Sequence, residues 1–277
     1  MIIKDVFAPV FGEGRDEAAL GALETVALFE GAHKAVLLIT PLPEPVAVGD
    51  GGMTTVLSDI IARMHDEARA ARAQLDKRLA NAGAEIRTVE TWAHLAAKTA
   101  ITHARHADLS VIALSKRGQS GEARREVLEG MVMESGRPVL AIPADCKAPA
   151  RFARVFIAWD GSGKAARAVG DAAPFLAGAD EVIIGTVDAK PGAGGVGAAP
   201  GADIAAHLAR HGCKIDVRNY DGLGRGAGKA LIEGAFEAGA DLIVMGAYRH
   251  ARLQQALFGG VTRTILDESK LPLLISH

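Results

Sequence analysis

The sequence predicts an α/β protein made of two copies of one unit, each an open parallel sheet with helices on both faces. Composition is the first observation behind this reading. Of the 277 residues 49% are hydrophobic but only 4% aromatic, so Ala, Val, Leu and Ile must build the core, as in helices packed closely on a sheet. The second is an internal repeat: residues 107–143, beginning "ADLSVIALSKRG", and residues 240–276, beginning "ADLIVMGAYRHA", follow one plan. Each opens on Ala-Asp, runs through an apolar strand and a polar loop, enters an amphipathic helix and closes on a Pro-containing apolar strand. The third is alternation of strand-like and helix-like runs, which gives a parallel sheet covered on both sides.

In the first copy, apolar runs place strands near 3–10, 34–40, 84–91, 108–115 and 138–143, with helices near 15–30, 54–82, 94–106 and 122–135. The clearest helix carries Ile61, Met64, Ala68, Ala71, Leu75 and Leu79 at spacings of three and four, and Gly83 supplies a left-handed cap. Residues 144–152 read as a linker, which divides the chain into domains 1–146 and 152–277. The second copy has strands near 153–159, 181–187, 213–219, 241–246 and 271–276. Its residues 188–203, "DAKPGAGGVGAAPGAD", have no hydrophobic period and read as a mobile loop after the second strand.

Charge and cysteine content exclude several classes of function. A net charge of −2 leaves no polybasic field for nucleic acid or an anionic membrane. No segment reaches the roughly 20 apolar residues of a membrane span, and the first residues lack the basic and apolar regions of a signal peptide. Two distant cysteines, Cys146 and Cys213, make neither a disulfide framework nor a Cys-rich zinc site. A cytoplasmic protein is the expectation.

The stretches "VFIAWDGS" and "DLIVMGAYRHARLQQALFGGVT" of the second copy resemble the universal stress protein family, and the plan of both copies resembles its tandem two-domain form. The family's glycine-rich pattern is Gly, two residues, Gly, nine residues, Gly, then Ser or Thr. Here Gly246 and Gly259 match, Arg249 replaces the second glycine and Gly260 stands at the Ser/Thr position, with the hydroxyl of Thr262 two residues on. The resemblance implies an adenine-nucleotide alpha hydrolase-like fold with strand order 3-2-1-4-5 in each copy. It also implies ATP or a related adenine nucleotide as ligand, with or without Mg²⁺, at Asp160, Val187, Gly246, Arg249, Gly259, Gly260, Val261 and Thr262. Further implications are a stress-response role, pairing of the copies through their fifth strands, "PVLAIP" to "PLLIS", as an intramolecular pseudo-dimer, and a homodimer as an option.

Physical chemistry gives these residues both functional and purely structural uses. Glycine lets backbone amides approach a phosphate at a helix start, yet a turn before a helix needs it too. Arg249 obstructs such an approach with its Cβ and offers a bidentate phosphate donor with its guanidinium. Asp160 can accept from a ribose or an adenine amino group, or simply close an Asp-Gly turn, and Ser162 reads as a helix N-cap.

The first copy lacks the features, with Phe11 opposite Asp160, Ala113 opposite Gly246, and Arg125 and Glu126 opposite Gly259 and Gly260; its cradle is expected to be filled. "DGLGRGAGKAL" fails as a phosphate loop because Leu223 and Ala230 break the pattern. His103 and His106 lack the further ligands of a metal site, and no nucleophile–base constellation stands out, so at most weak ATP hydrolysis is expected. The alternative function is a small-molecule or scaffold protein that has lost nucleotide binding.

Overall fold

The computed structural model describes residues 2–44, 52–115, 121–190, 199–247 and 260–277, with backbone alone for 52–57. The first half runs β1 (Asp5–Val10), α1 (Asp16–Thr25), β2 (His33–Leu42), α2 (Gly52–Arg78), β3 (Ala84–Trp92), α3 (Ala96–Ala104), β4 (Leu109–Leu114), α4 (Glu122–Glu134) and β5 (Val139–Pro143). The second runs β6 (Arg154–Ala158), α5 (Gly163–Asp171), the short α6 (Ala173–Ala177), β7 (Glu181–Val187), α7 (Ala202–Arg210), β8 (Ile215–Tyr220), α8 (Ala227–Glu237), β9 (Leu242–Gly246), α9 (Gly260–Glu268) and β10 (Leu273–Ser276).

Both halves have the strand order 3-2-1-4-5, but they do not form two separate sheets. One ten-stranded sheet runs β3-β2-β1-β4-β5-β10-β9-β6-β7-β8. It is parallel except at its centre, where β10 pairs antiparallel with β5 through Leu273–Ala141, Leu274–Leu140 and Ile275–Val139. The physical reason is that β5 and β10 would otherwise be apolar edges with unpaired N–H and C=O groups, and each covers the other. The free edges are instead β3 and β8, whose charged residues include Glu85, Arg87, Asp216 and Arg218. Because the junction is antiparallel, the carboxyl ends of the strands face opposite ends of the sheet in the two halves.

The core has two layers. Helices α1, α2, α5, α6 and α7 pack on one face with Val6, Val10, Val155 and Ile157. On the other, α3, α4, α8 and α9 pack with Phe7, Ile112, Phe156 and Ile243. The α2 stripe is fully buried only at Leu75 and Leu79, and the chain turns off that helix at Gly83 with φ +62°. The loop expected at 188–203 gives way to α7 at Ala202; residues 191–198 lie outside the described residues.

The repeat has a physical cause. Asp108 Oδ2 accepts from the N–H groups of Lys4 (2.8 Å) and Asp5 (3.1 Å). Asp241 does the same for Ala153 (2.7 Å) and Arg154 (3.1 Å). The Ala-Asp that opens each repeated segment thus ties strand 4 to the start of strand 1. Ser135 and Ser269 likewise close the turns after α4 and α9, accepting from Arg137 N and Leu271 N, both at 3.1 Å.

Candidate functional site

In the second half the sheet order reverses direction between β6 and β9, and a cavity of about 640 Å³ opens at their carboxyl ends. Such switch points are where open α/β sheets receive ligands, and this volume lies within the ~300–1,000 Å³ usual for small-molecule sites. Asp160, Val187, Gly246, Gly260, Val261 and Thr262 all line it. Arg249 and Gly259 lie outside the described residues. Ala158, Leu231, Met245 and Ile265 give the cavity an apolar floor, while Asp160, Asp188 and Lys190 give it a charged rim.

Three helices begin at this cavity. Gly260 starts α9, Ala227 starts α8, and Ser162 caps α5. The first N–H groups of a helix lack intrahelical partners and carry the positive end of its dipole, so their convergence favours an anion. Ser162 Oγ accepts from Ala165 N at 3.1 Å, which is the capping role expected of it. Ser162→Ala should therefore destabilise the protein by about 1 kcal/mol without removing a wall of the cavity, as denaturant unfolding beside a binding titration would show.

Asp160 closes the turn before α5: its Oδ1 accepts from Ser162 N at 2.9 Å, and Gly161 holds φ +74°. The side chain is exposed, and its second oxygen has no hydrogen bond among the described residues. Val187 contributes through its backbone. Successive residues of a parallel strand direct their N–H and C=O to opposite neighbours; Gly185 O accepts from Trp159 N (2.8 Å) on the β6 side, and Asp188 N donates to Tyr220 O (3.0 Å) on the β8 side. Val187 therefore faces β6, but β6 has ended at Ala158, so its N–H and C=O look into the cavity.

Two features of this rim escape a reading of the sequence. Asp188 has φ +49°, held there by Gly222 N donating to its Oδ1 (3.1 Å) and by Asn219, whose amide bonds the Ala189 N–H and C=O, both at 3.2 Å. Gly246 has a packing role: a Cβ added there would lie 2.6 Å from Lys164 C and 2.7 Å from Ala165 N. The backbone of α5 crosses β9 at this point, whatever else approaches it.

The corresponding end of the first half is filled by protein. Arg124, 2% exposed, pairs with Asp16 Oδ1 at 2.6 Å and Glu13 Oε2 at 3.0 Å, and its guanidinium lies 4.6 Å from the centre of the Phe11 ring. Phe11 occupies the expected place, but the arginine differs from the expected one. Arg125 turns instead to Glu129 and across the central seam to Asp267, each at 2.8 Å, and Glu126 is exposed. Successive residues of a helix point about 100° apart, so only Arg124 faces inward.

The remaining sequence candidates have ordinary partners. His103 Nδ1 lies 3.2 Å from Arg87 Nη1 and its ring stacks on Phe7. Burial and the Arg87 charge hold its imidazole below the usual range. Lys229 lies 3.8 Å from Glu268 on the surface. Among the described residues no three His, Cys, Asp or Glu side chains are grouped for a metal, and no helix is long and apolar enough to cross a membrane.

Residues 151–277 match the model of the universal stress protein family. That segment is a domain of the universal stress protein family. The fold extends over both halves. A universal stress protein from Archaeoglobus fulgidus DSM 4304 superposes with a TM-score of 0.71 at 16% identity, covering 98% of this chain and 95% of that one. A functionally unknown protein from Pseudomonas aeruginosa PAO1 covers 99% of this chain and 92% of its own at 13% identity, with a TM-score of 0.50. A universal stress protein in complex with cAMP is 28% identical over 46% of this chain and 97% of that one, with a TM-score of 0.32. No curated protein matches the chain.

Proposed function

We propose that the cavity of the C-terminal half binds ATP or a related adenine nucleotide, and that the protein is a cytoplasmic stress-response protein working through nucleotide occupancy. The reading rests above all on one observation: an apolar cavity at the switch point, faced by three helix N-termini. The apolar floor suits a base and the helix starts suit phosphates. The outward N–H and C=O of Val187 complement the adjacent acceptor and donor on the adenine edge, and Asp160 retains an oxygen for a ribose hydroxyl. Arg249 and Gly259 would complete the phosphate end, with or without Mg²⁺. In this proposal residues 152–277 form the binding domain and residues 1–146 its degenerate counterpart, the two joined as an intramolecular pair. The role is binding, with at most weak hydrolysis.

Since Arg124, Asp16 and Phe11 fill the first half, calorimetric titration with ATP should give at most one site per chain. Two equivalent sites would contradict the proposal. Absence of binding at millimolar ATP would transfer the assignment to a small-molecule or scaffold protein without nucleotide.

A further inference from the structure

We propose that the C-terminal turn of α7 is a site for a divalent transition cation of the Cu²⁺, Ni²⁺ and Zn²⁺ class, chelated by His207 and His211. These histidines are four apart and therefore share one face of the helix. Both are exposed, and their rings meet edge to face with centroids 4.8 Å apart. The other histidines with charged neighbours are engaged differently. His33, His65 and His94 sit against carboxylates, His103 against Arg87, and His277 against Lys164. His207 and His211 face each other.

The backbone under the pair is fixed. Gly212 takes φ +85° and donates to Ala209 O at 3.0 Å, while Cys213 N donates to Leu208 O at 3.2 Å. This left-handed turn closes the helix at Arg210, with His211 as its C-cap residue. Leu208, 4% exposed, anchors the adjoining side of the helix in the core. Only the two imidazoles therefore need to rotate to bring nitrogens onto one ion at the roughly 2.0–2.1 Å of a metal–imidazole bond. The negative end of the helix dipole lies at this turn and favours a cation. The two imidazoles are the protein's share of the coordination, and water completes it. Imidazole nitrogen suits borderline cations, with Cu²⁺ bound most tightly in the divalent series. The opposite end of α7 borders the nucleotide cavity through Gly201; the cation site is separate and does not depend on that ligand.

Titration of the full chain with Cu²⁺, followed by electron paramagnetic resonance, tests the site. The expected result is one saturable equivalent with two imidazole nitrogens in its hyperfine pattern. His207→Ala and His211→Ala should each lower the affinity at least about tenfold and leave a one-nitrogen spectrum, with thermal melts unchanged, while His106→Ala leaves both affinity and spectrum as they were. Absence of a saturable two-nitrogen signal in the wild type, or its persistence in either His207→Ala or His211→Ala, would overturn the proposal.

Discussion

Arg124→Ala should destabilise the protein by about 3–5 kcal/mol, the cost of breaking a buried ion pair from one side, while leaving nucleotide affinity in the other half unchanged. The side chains of Arg124 and Asp16 are 2% and 4% exposed, so the Asp16 carboxylate cannot replace its partner with bulk water. Two backbone donors would remain, since Asp16 Oδ2 accepts from Phe11 N and Glu13 N, both at 2.9 Å. They place the expected loss toward the lower end of the range. Oδ1 would face the space left by the guanidinium, and Phe11 would lose the cation over its ring. Arg124→Met combined with Asp16→Asn should recover much of the loss, because neither side of the pair then carries an uncompensated charge and the amide oxygen can still accept from the turn. Guanidinium unfolding of the two variants, beside an ATP titration, measures both parts. A loss below about 1 kcal/mol would show that this network fills space without holding the first half together.

Unaffected nucleotide binding in that variant follows from topology. The antiparallel β5–β10 junction directs the two carboxyl ends to opposite ends of the sheet, so the filled crevice and the open one share no wall. Among the described residues α4 reaches the second half through the Arg125–Asp267 pair at 2.8 Å, which Arg124→Ala leaves in place.

The fold was legible because its signals are local. Strands such as Leu109–Leu114 and Leu242–Gly246 are continuous apolar runs bounded by polar turns, and the Ala-Asp before each marks a hydrogen-bonded anchor that recurs in the structure. Joining into one sheet is not a local property. A strand buried on both faces reads alike whether it lies at a centre or at an edge, and the partnership of Val139–Pro143 with Leu273–Ser276 came from resemblance, while its continuity through ten strands came only from the structure.

The candidate site was legible in part for the same reason. Asp160, Val187, Gly246 and Gly260 stand at the ends of recognisable elements, and the strand order brings those ends to one cavity. What could not be read depends on side-chain phase and backbone torsion. A shift of one position around α4 decides that Arg124 is enclosed while Arg125 reaches the other half. Nothing in the run Thr186-Val187-Asp188 announces that Asp188 takes a positive φ; that conformation is imposed by Asn219 and Gly222, more than 30 residues later in the chain.

Gly246→Val should cost at least about 3 kcal/mol, at or above the upper end of ordinary overpacking, and should abolish nucleotide binding at the same time. A glycine at the end of strand 4 beside a ligand cavity has two physical explanations with different outcomes. If only a ligand approached it, the substitution would remove binding and leave the melt unchanged. The structure places protein there: Lys164 C, Ala165 N and Lys164 O would lie 2.6, 2.7 and 2.8 Å from the new Cβ. These are backbone atoms of the first turn of α5, and no rotamer change moves them aside. Relief requires α5 to lift from β9, which exposes the core around Ala168 and Val169 and displaces Ser162 and Ala165 from the cavity wall. The first half carries Ala113 at the equivalent position, buried at 1% exposure. Gly246→Ala should shift the melt in the same direction, since the clash begins at Cβ. Thermal unfolding and labelled-ATP binding on both variants decide: a normal melt with lost affinity would assign Gly246 to the ligand alone, whereas joint loss would show that one close helix–strand contact shapes the cavity and supports the fold.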